Sequence, residues 1–114
     1  MGVQTKGRRK ISVNETEYVW YVKEDFDSPY MILHISSIDK KVILAIPLKT
    51  QVPYVISKGR YFQGIETSGS WERYEFDQSI PESITPAFVE KCIIWAVDGR
   101  NAERIEWDIH AVPV

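Results

Sequence analysis

The sequence is short of the residues that usually announce a site. It has one cysteine, Cys92, and two histidines, His34 and His110. A single thiol excludes an intrachain disulfide, and without a Cys pair, His-x-x-x-His or His-x-His the common zinc spacings are missing as well. Glu24, Asp25 and Asp27 crowd three carboxylates into four residues, but the glycine and distal glutamate of a calcium loop are absent, so they read as a solvated turn. No metal and no other cofactor is expected. Charge of one sign is also lacking: a net charge of −2 and a pI near 5.7 give no general attraction to nucleic acid or to an anionic membrane. No stretch approaches the roughly 18 apolar residues of a membrane span, and residues 1–10 lack the apolar run of a signal peptide, which together point to the cytoplasm. Lys6 stands where myristoylation requires Ser or Thr, and without a secretory signal Asn14-Glu15-Thr16 reads as a turn, not as a glycosylation acceptor.

What is present is a single convincing helix, Thr85 to Gly99, in a chain otherwise patterned for strands. Thr85 is an N-cap whose hydroxyl can accept from a first-turn amide, and Pro86 at the first helical position lacks only an amide that would be unpaired anyway. Ile84 is placed to close onto Val89 as a hydrophobic staple, and Gly99 is expected to end the helix in the left-handed conformation. At 100° per residue Phe88, Val89, Cys92, Ile93, Trp95, Ala96 and Val97 share one arc. Cys92 on that arc reads as a small buried apolar side chain. Ile94 falls on the opposite, polar arc between Glu90 and Asp98 and is a candidate interface contact.

Residues 1–9, with Lys6, Arg8 and Arg9, read as a flexible basic arm leading into one domain over 10–114. Period-2 alternation then gives Ile11–Val13, a turn at 14–16, a strand through Tyr18, Trp20 and Val22, a strand from Tyr30 to Ile38, and Val42 to Leu48 after Asp39-Lys40-Lys41. Four strands with tight connections predict an antiparallel meander. Pro47 and Pro53 cannot donate to a ladder and mark a break or an edge around 48–55. Trp71–Phe76 is a short strand, and Arg104–Val112 alternates Ile105, Trp107, Ile109 and Ala111 against polar residues as a final strand. The fold class is α+β: an antiparallel sheet, strongly twisted or partly closed, packed by one C-terminal helix. Val19, Tyr21, Tyr30, Ile32 and Ile43 lie on the second, less apolar face, a surplus that a coiled sheet, a partial barrel or a homodimer would bury.

Arg9-Lys10-Ile11-Ser12-Val13-Asn14 followed by Tyr18 and Trp20, and the Ile84-Thr85-Pro86 helix ending at Gly99, resemble a group of small uncharacterised bacterial proteins. The resemblance implies a shared fold and a bacterial source, and transfers no functional residue. Members of the group often carry Trp after the helix-ending glycine, where this chain has Arg100.

For chemistry, Ser57-Lys58-Gly59-Arg60-Tyr61-Phe62-Gln63-Gly64 is the stretch of interest, because glycine loops with Lys and Arg can offer backbone amides and charge to an anion. It is not a P-loop: the GxxxxGK[ST] order is absent and no helix follows. Lys58, Arg60, Tyr61, Trp71 and Arg73 together form a basic and aromatic group of the kind that holds planar rings or single strands. The reading is a non-catalytic binding or interaction module, its partner a protein or a second copy. The alternative is a nucleic-acid-associated accessory protein, against which the net acidity argues. An enzyme would have to draw on His34, His110 and Glu72, whose spacing recommends no catalytic residue.

Overall fold

The computed structural model describes residues 8–24, 31–50, 52–100 and 102–105. The strands are β1 (Arg9–Val13), β2 (Thr16–Glu24), β3 (Met31–Ser37), β4 (Ile43–Pro47), β5 (Tyr54–Ser57), β6 (Tyr61–Phe62), β7 (Ile65–Glu66), β8 (Glu72–Glu75) and β9 (Arg104–Ile105), with helix α1 (Pro86–Asp98) between the last two. The strand β1 takes in Arg9, which pairs with Trp20. Asn14 and Glu15 connect β1 to β2 with φ of 50° and 69°, the left-handed pair of a type I′ hairpin turn, so the turn is two residues long and Thr16 already belongs to β2.

Seven strands form one antiparallel sheet in the order β1-β2-β3-β4-β5-β8-β9, and β6 and β7 make a separate hairpin inserted between β5 and β8. Among the described residues the sheet is open, with β1 and β9 at its edges and no pairing that closes it into a barrel. The chain does break at 48–53, yet β5, directly after Pro53, is an interior strand between β4 and β8. Pro47 is tolerated at the end of β4. The Leu48 amide bonds back to Met31, and the missing Pro47 amide would face β5, whose pairing with β4 extends only over Leu44 and Ala45.

One face of the sheet carries Tyr18, Trp20, Leu33, Ile35, Leu44, Ile46 and Val55, and α1 covers it with Phe88, Val89, Cys92, Ile93 and Ala96. Thr85 caps the helix as expected, its Oγ1 accepting from the Phe88 amide at 3.2 Å. Gly99 is a correction: it is extended, with φ −65° and ψ 164°, not left-handed. Its lack of a side chain serves another purpose, since a Cβ there would lie 2.5 Å from Gln63 Nε2 and 2.5 Å from the Trp95 carbonyl. Space for an approaching side chain, not backbone conformation, demands this glycine.

The Cys92 thiol is fully buried, and burial pushes its pKa up to about 12. Thiolate is the reactive form, so native protein should leave a disulfide reagent unconsumed at neutral pH and consume one equivalent only on unfolding. Because the folded pKa lies above the unfolded value near 9, the neutral thiol stabilises the fold fully below pH 9, and that contribution is lost as pH rises toward 12. Ile94 is 41% exposed on the outer side of α1. Ile94→Lys, flanked one turn away by Glu90 and Asp98, should change thermal stability by no more than about 0.5 kcal/mol.

The residues expected to continue the last strand, including Trp107 and His110, lie outside the described residues, as do the arm at 1–7, Asp25, Asp27 and Tyr30.

Candidate binding surface

The Ser57–Gly64 stretch does not present its amides to an anion. Lys58 N–H donates to the Ile43 carbonyl at 2.8 Å, and the Arg60 and Tyr61 amides both donate to the Lys41 carbonyl, at 2.8 and 3.0 Å. The loop is docked against the chain that enters β4, and Gly59 is there because nothing larger fits: a Cβ would sit 2.2 Å from the Lys41 carbonyl oxygen. The loop instead contributes side chains. The Thr67 amide and Oγ1 bond back to the Arg60 and Gly59 carbonyls at 2.8 and 2.9 Å, holding the 67–70 loop beside Arg60. The next residue group, Ser70-Trp71, then enters β8.

Ser57 pairs with Glu72, so one further step of the register sets Lys58 against Trp71, and Lys58 Nζ lies 4.2 Å from the centre of the Trp71 ring. Trp71 is 62% exposed, which places a large aromatic surface, already associated with a cation, in contact with solvent. Two residues further along β8, Arg73 is in register with Ile56 and reaches diagonally to Tyr54, its guanidinium 4.8 Å from the ring centre. Both pairs are on the face turned away from α1. Across that face the register links Tyr21, His34, Ala45, Ile56, Arg73 and Ile105 in one continuous row. At its β2 end Tyr21 stacks on His34 at 4.9 Å and Arg8 covers Tyr21 at 4.4 Å.

Of the five residues singled out in the sequence, Lys58, Trp71 and Arg73 share this face, and Arg60 lies at its corner beside Gly69. Tyr61 does not join them. It is half-buried against the core cluster on the helix side, near Tyr18, because the chain reverses at Gly59 and the alternation of β5 does not carry through the loop. Tyr54 and Tyr21 were not among those five, and belong with Arg73 and His34. Counted by register, the face carries Arg8, Lys10, Lys23, Lys58 and Arg73 against the carboxylates Glu17, Glu75 and Glu103, so it is basic on a chain that is acidic overall. Lys10 reaches Glu17 at 3.9 Å, an exposed and weak pair.

Of the residues an enzyme would draw on, the two that are described have separate partners. His34 stacks on Tyr21, Glu72 pairs with Arg104 at 3.2 Å, and His110 lies outside the described residues. Among the described residues no three His, Cys, Asp or Glu side chains are grouped closely enough to hold a metal ion. No helix of the described residues is long and apolar enough to cross a membrane. Tyr74, on the helix side of β8, stacks on Phe62 at 4.0 Å, and burial raises its phenol above the ordinary range with Glu72 adding to the shift. No family model, curated protein or solved structure matches the chain.

Proposed function

We propose that the protein is a small non-catalytic binding module whose contact surface is the Lys58–Trp71 end of the sheet face turned away from the helix. The single observation that carries this reading is Trp71: a tryptophan left 62% exposed, with Lys58 4.2 Å from its ring, on a loop tied down by hydrogen bonds from Thr67. A rigid aromatic anchor with cations beside it suits a ligand that offers a flat ring and an anionic group. A second reading, contact with a single-stranded nucleic acid, is favoured by the repetition of the same pairing along the face, Lys58 with Trp71, Arg73 with Tyr54 and Arg8 with Tyr21.

Titration with a short thymidylate strand and with free thymidine monophosphate, read by tryptophan fluorescence, separates the two. The module reading expects saturable quenching by either probe that is abolished in Trp71→Ala while the far-ultraviolet circular dichroism is unchanged. The strand reading expects, in addition, tighter binding of the oligomer and an affinity that falls steeply with salt. Quenching that persists in Trp71→Ala removes this surface from the account.

A further inference from the structure

We infer that the protein has a second binding site, a cavity at the other end of the strands that takes an amphipathic anion, a molecule with an apolar chain or ring and a carboxylate-like head. The cavity measures about 890 Å³ and is bounded by the ends of β2 and β3, the β4–β5 connection and residues 80–86. That volume is within the range of about 300–1,000 Å³ that small-molecule sites occupy.

Its floor is the unfinished edge of the core. Trp20 is buried there, while Val22, Leu48, Ile80 and Ile84 are only half-buried, although each packs against the core cluster. Helix α1 begins at Pro86, and the irregular segment before it crosses this end with Pro81, Glu82 and Ser83 exposed at the cavity's rim, while Ile80 and Ile84 on either side of them stay half-buried. Apolar side chains left half-covered around one concavity favour an apolar guest.

The head group is chosen by charge. Arg9 and Lys49 both line the cavity, and among the described residues neither forms an ion pair. Arg9 is held in place by Trp20, its guanidinium 5.7 Å from the ring centre. Lys49 is a non-glycine residue at φ +64°, a left-handed conformation that the chain sustains where the Leu48 amide is anchored to the Met31 carbonyl at 2.8 Å. Thr50, Ser83 and Thr85 add neutral polar groups, and among the described residues Glu82 is the one carboxylate in the lining. Two cations against one carboxylate favour an anionic head over a cationic one.

The test uses the full chain with methyl-labelled Val, Leu and Ile, titrated with dodecanoate, dodecanol and dodecyltrimethylammonium below the concentrations at which each self-associates. The inference expects saturable shifts of the Val22, Leu48, Ile80 and Ile84 methyls, with dodecanoate binding tightest. Arg9→Gln and Lys49→Asn, the latter chosen because Asn accepts the left-handed backbone, should each weaken dodecanoate by about tenfold and leave dodecanol unchanged. Equal binding of all three probes, preference for the ammonium, shifts located elsewhere or an affinity indifferent to both variants would each overturn it. Trp71→Ala should bind dodecanoate as wild type does, which keeps this site separate from the surface around Trp71.

Discussion

Gly59→Ala should lower the stability of the protein by about 3 kcal/mol, a fall in melting temperature on the order of 10 °C for a domain of this size. The added methyl would lie 2.2 Å from the Lys41 carbonyl oxygen and 2.8 Å from the Ile43 nitrogen, and both are backbone atoms that no rotamer change can move. Relief requires the loop to lift from the entry to β4. That breaks the hydrogen bonds by which Lys58, Arg60 and Tyr61 hold it to Ile43 and Lys41. Gly69→Ala is the comparison. Gly69 has φ +88°, but a Cβ there meets nothing closer than Arg60 Cγ at 3.5 Å, so its cost is backbone conformation alone, about 1 kcal/mol, and Gly69→Asn should recover most of it. Gly59→Asn should remain as damaging as alanine. Thermal melts of the four variants separate crowding from conformation, and an innocuous Gly59→Ala would show that the loop is not docked.

Gln63 is expected to have the next largest effect. Together with Gly64 it forms the two-residue turn between β6 and β7, with φ of 50° and 81°. From that position it ties three parts of the chain together. Its amide donates to the Ala96 carbonyl at 2.6 Å, Nε2 donates to the Trp95 carbonyl at 3.0 Å, and Oε1 accepts from the Ala102 amide at 3.0 Å. The side chain thus takes up a carbonyl at the end of α1 and fixes the segment that leads into β9. Gln63→Ala should cost about 2 kcal/mol, mostly from the Ala102 amide, since Trp95 keeps its bond from the Gly99 amide at 3.2 Å. Gln63→Asn is the sharper variant: asparagine suits the left-handed turn better but is one methylene too short, so a loss equal to that of alanine assigns the effect to the lost bonds. Hydrogen exchange should show the loss concentrated at the last turn of α1 and at residues 102–105.

These two residues also show where sequence reading stops. The helix was legible because its signals are local: Thr85, Pro86 and the apolar arc act within a few positions of one another. The meander through β4 was legible for the same reason, since period-2 alternation over five to nine residues sets both strand and face. After Leu48 the elements shrink to β6 and β7, two residues each, too short for alternation to register. Gln63 reads locally as turn material, and its bonds to Trp95 and Ala102 span 32 and 39 residues. Gly99 is the matching case, where the usual reason for a glycine at a helix end gave way to the need to admit Gln63. The grouping of Lys58, Trp71 and Arg73 was legible as composition. Their alignment with Tyr54 depends on the β5–β8 register, which no single strand reveals, and Tyr61 was misplaced with them because parity does not survive the reversal at Gly59.

The most direct measurement of the central claim is a map of backbone amide shifts during titration with the thymidylate strand. The account predicts that the largest changes fall at Tyr54, Ile56, Lys58, Trp71 and Arg73, which alternate along β5 and β8 on one face, while Val55 and Tyr74 between them move less. Changes confined to α1, changes alternating onto the helix side, or no change at saturating probe would contradict it.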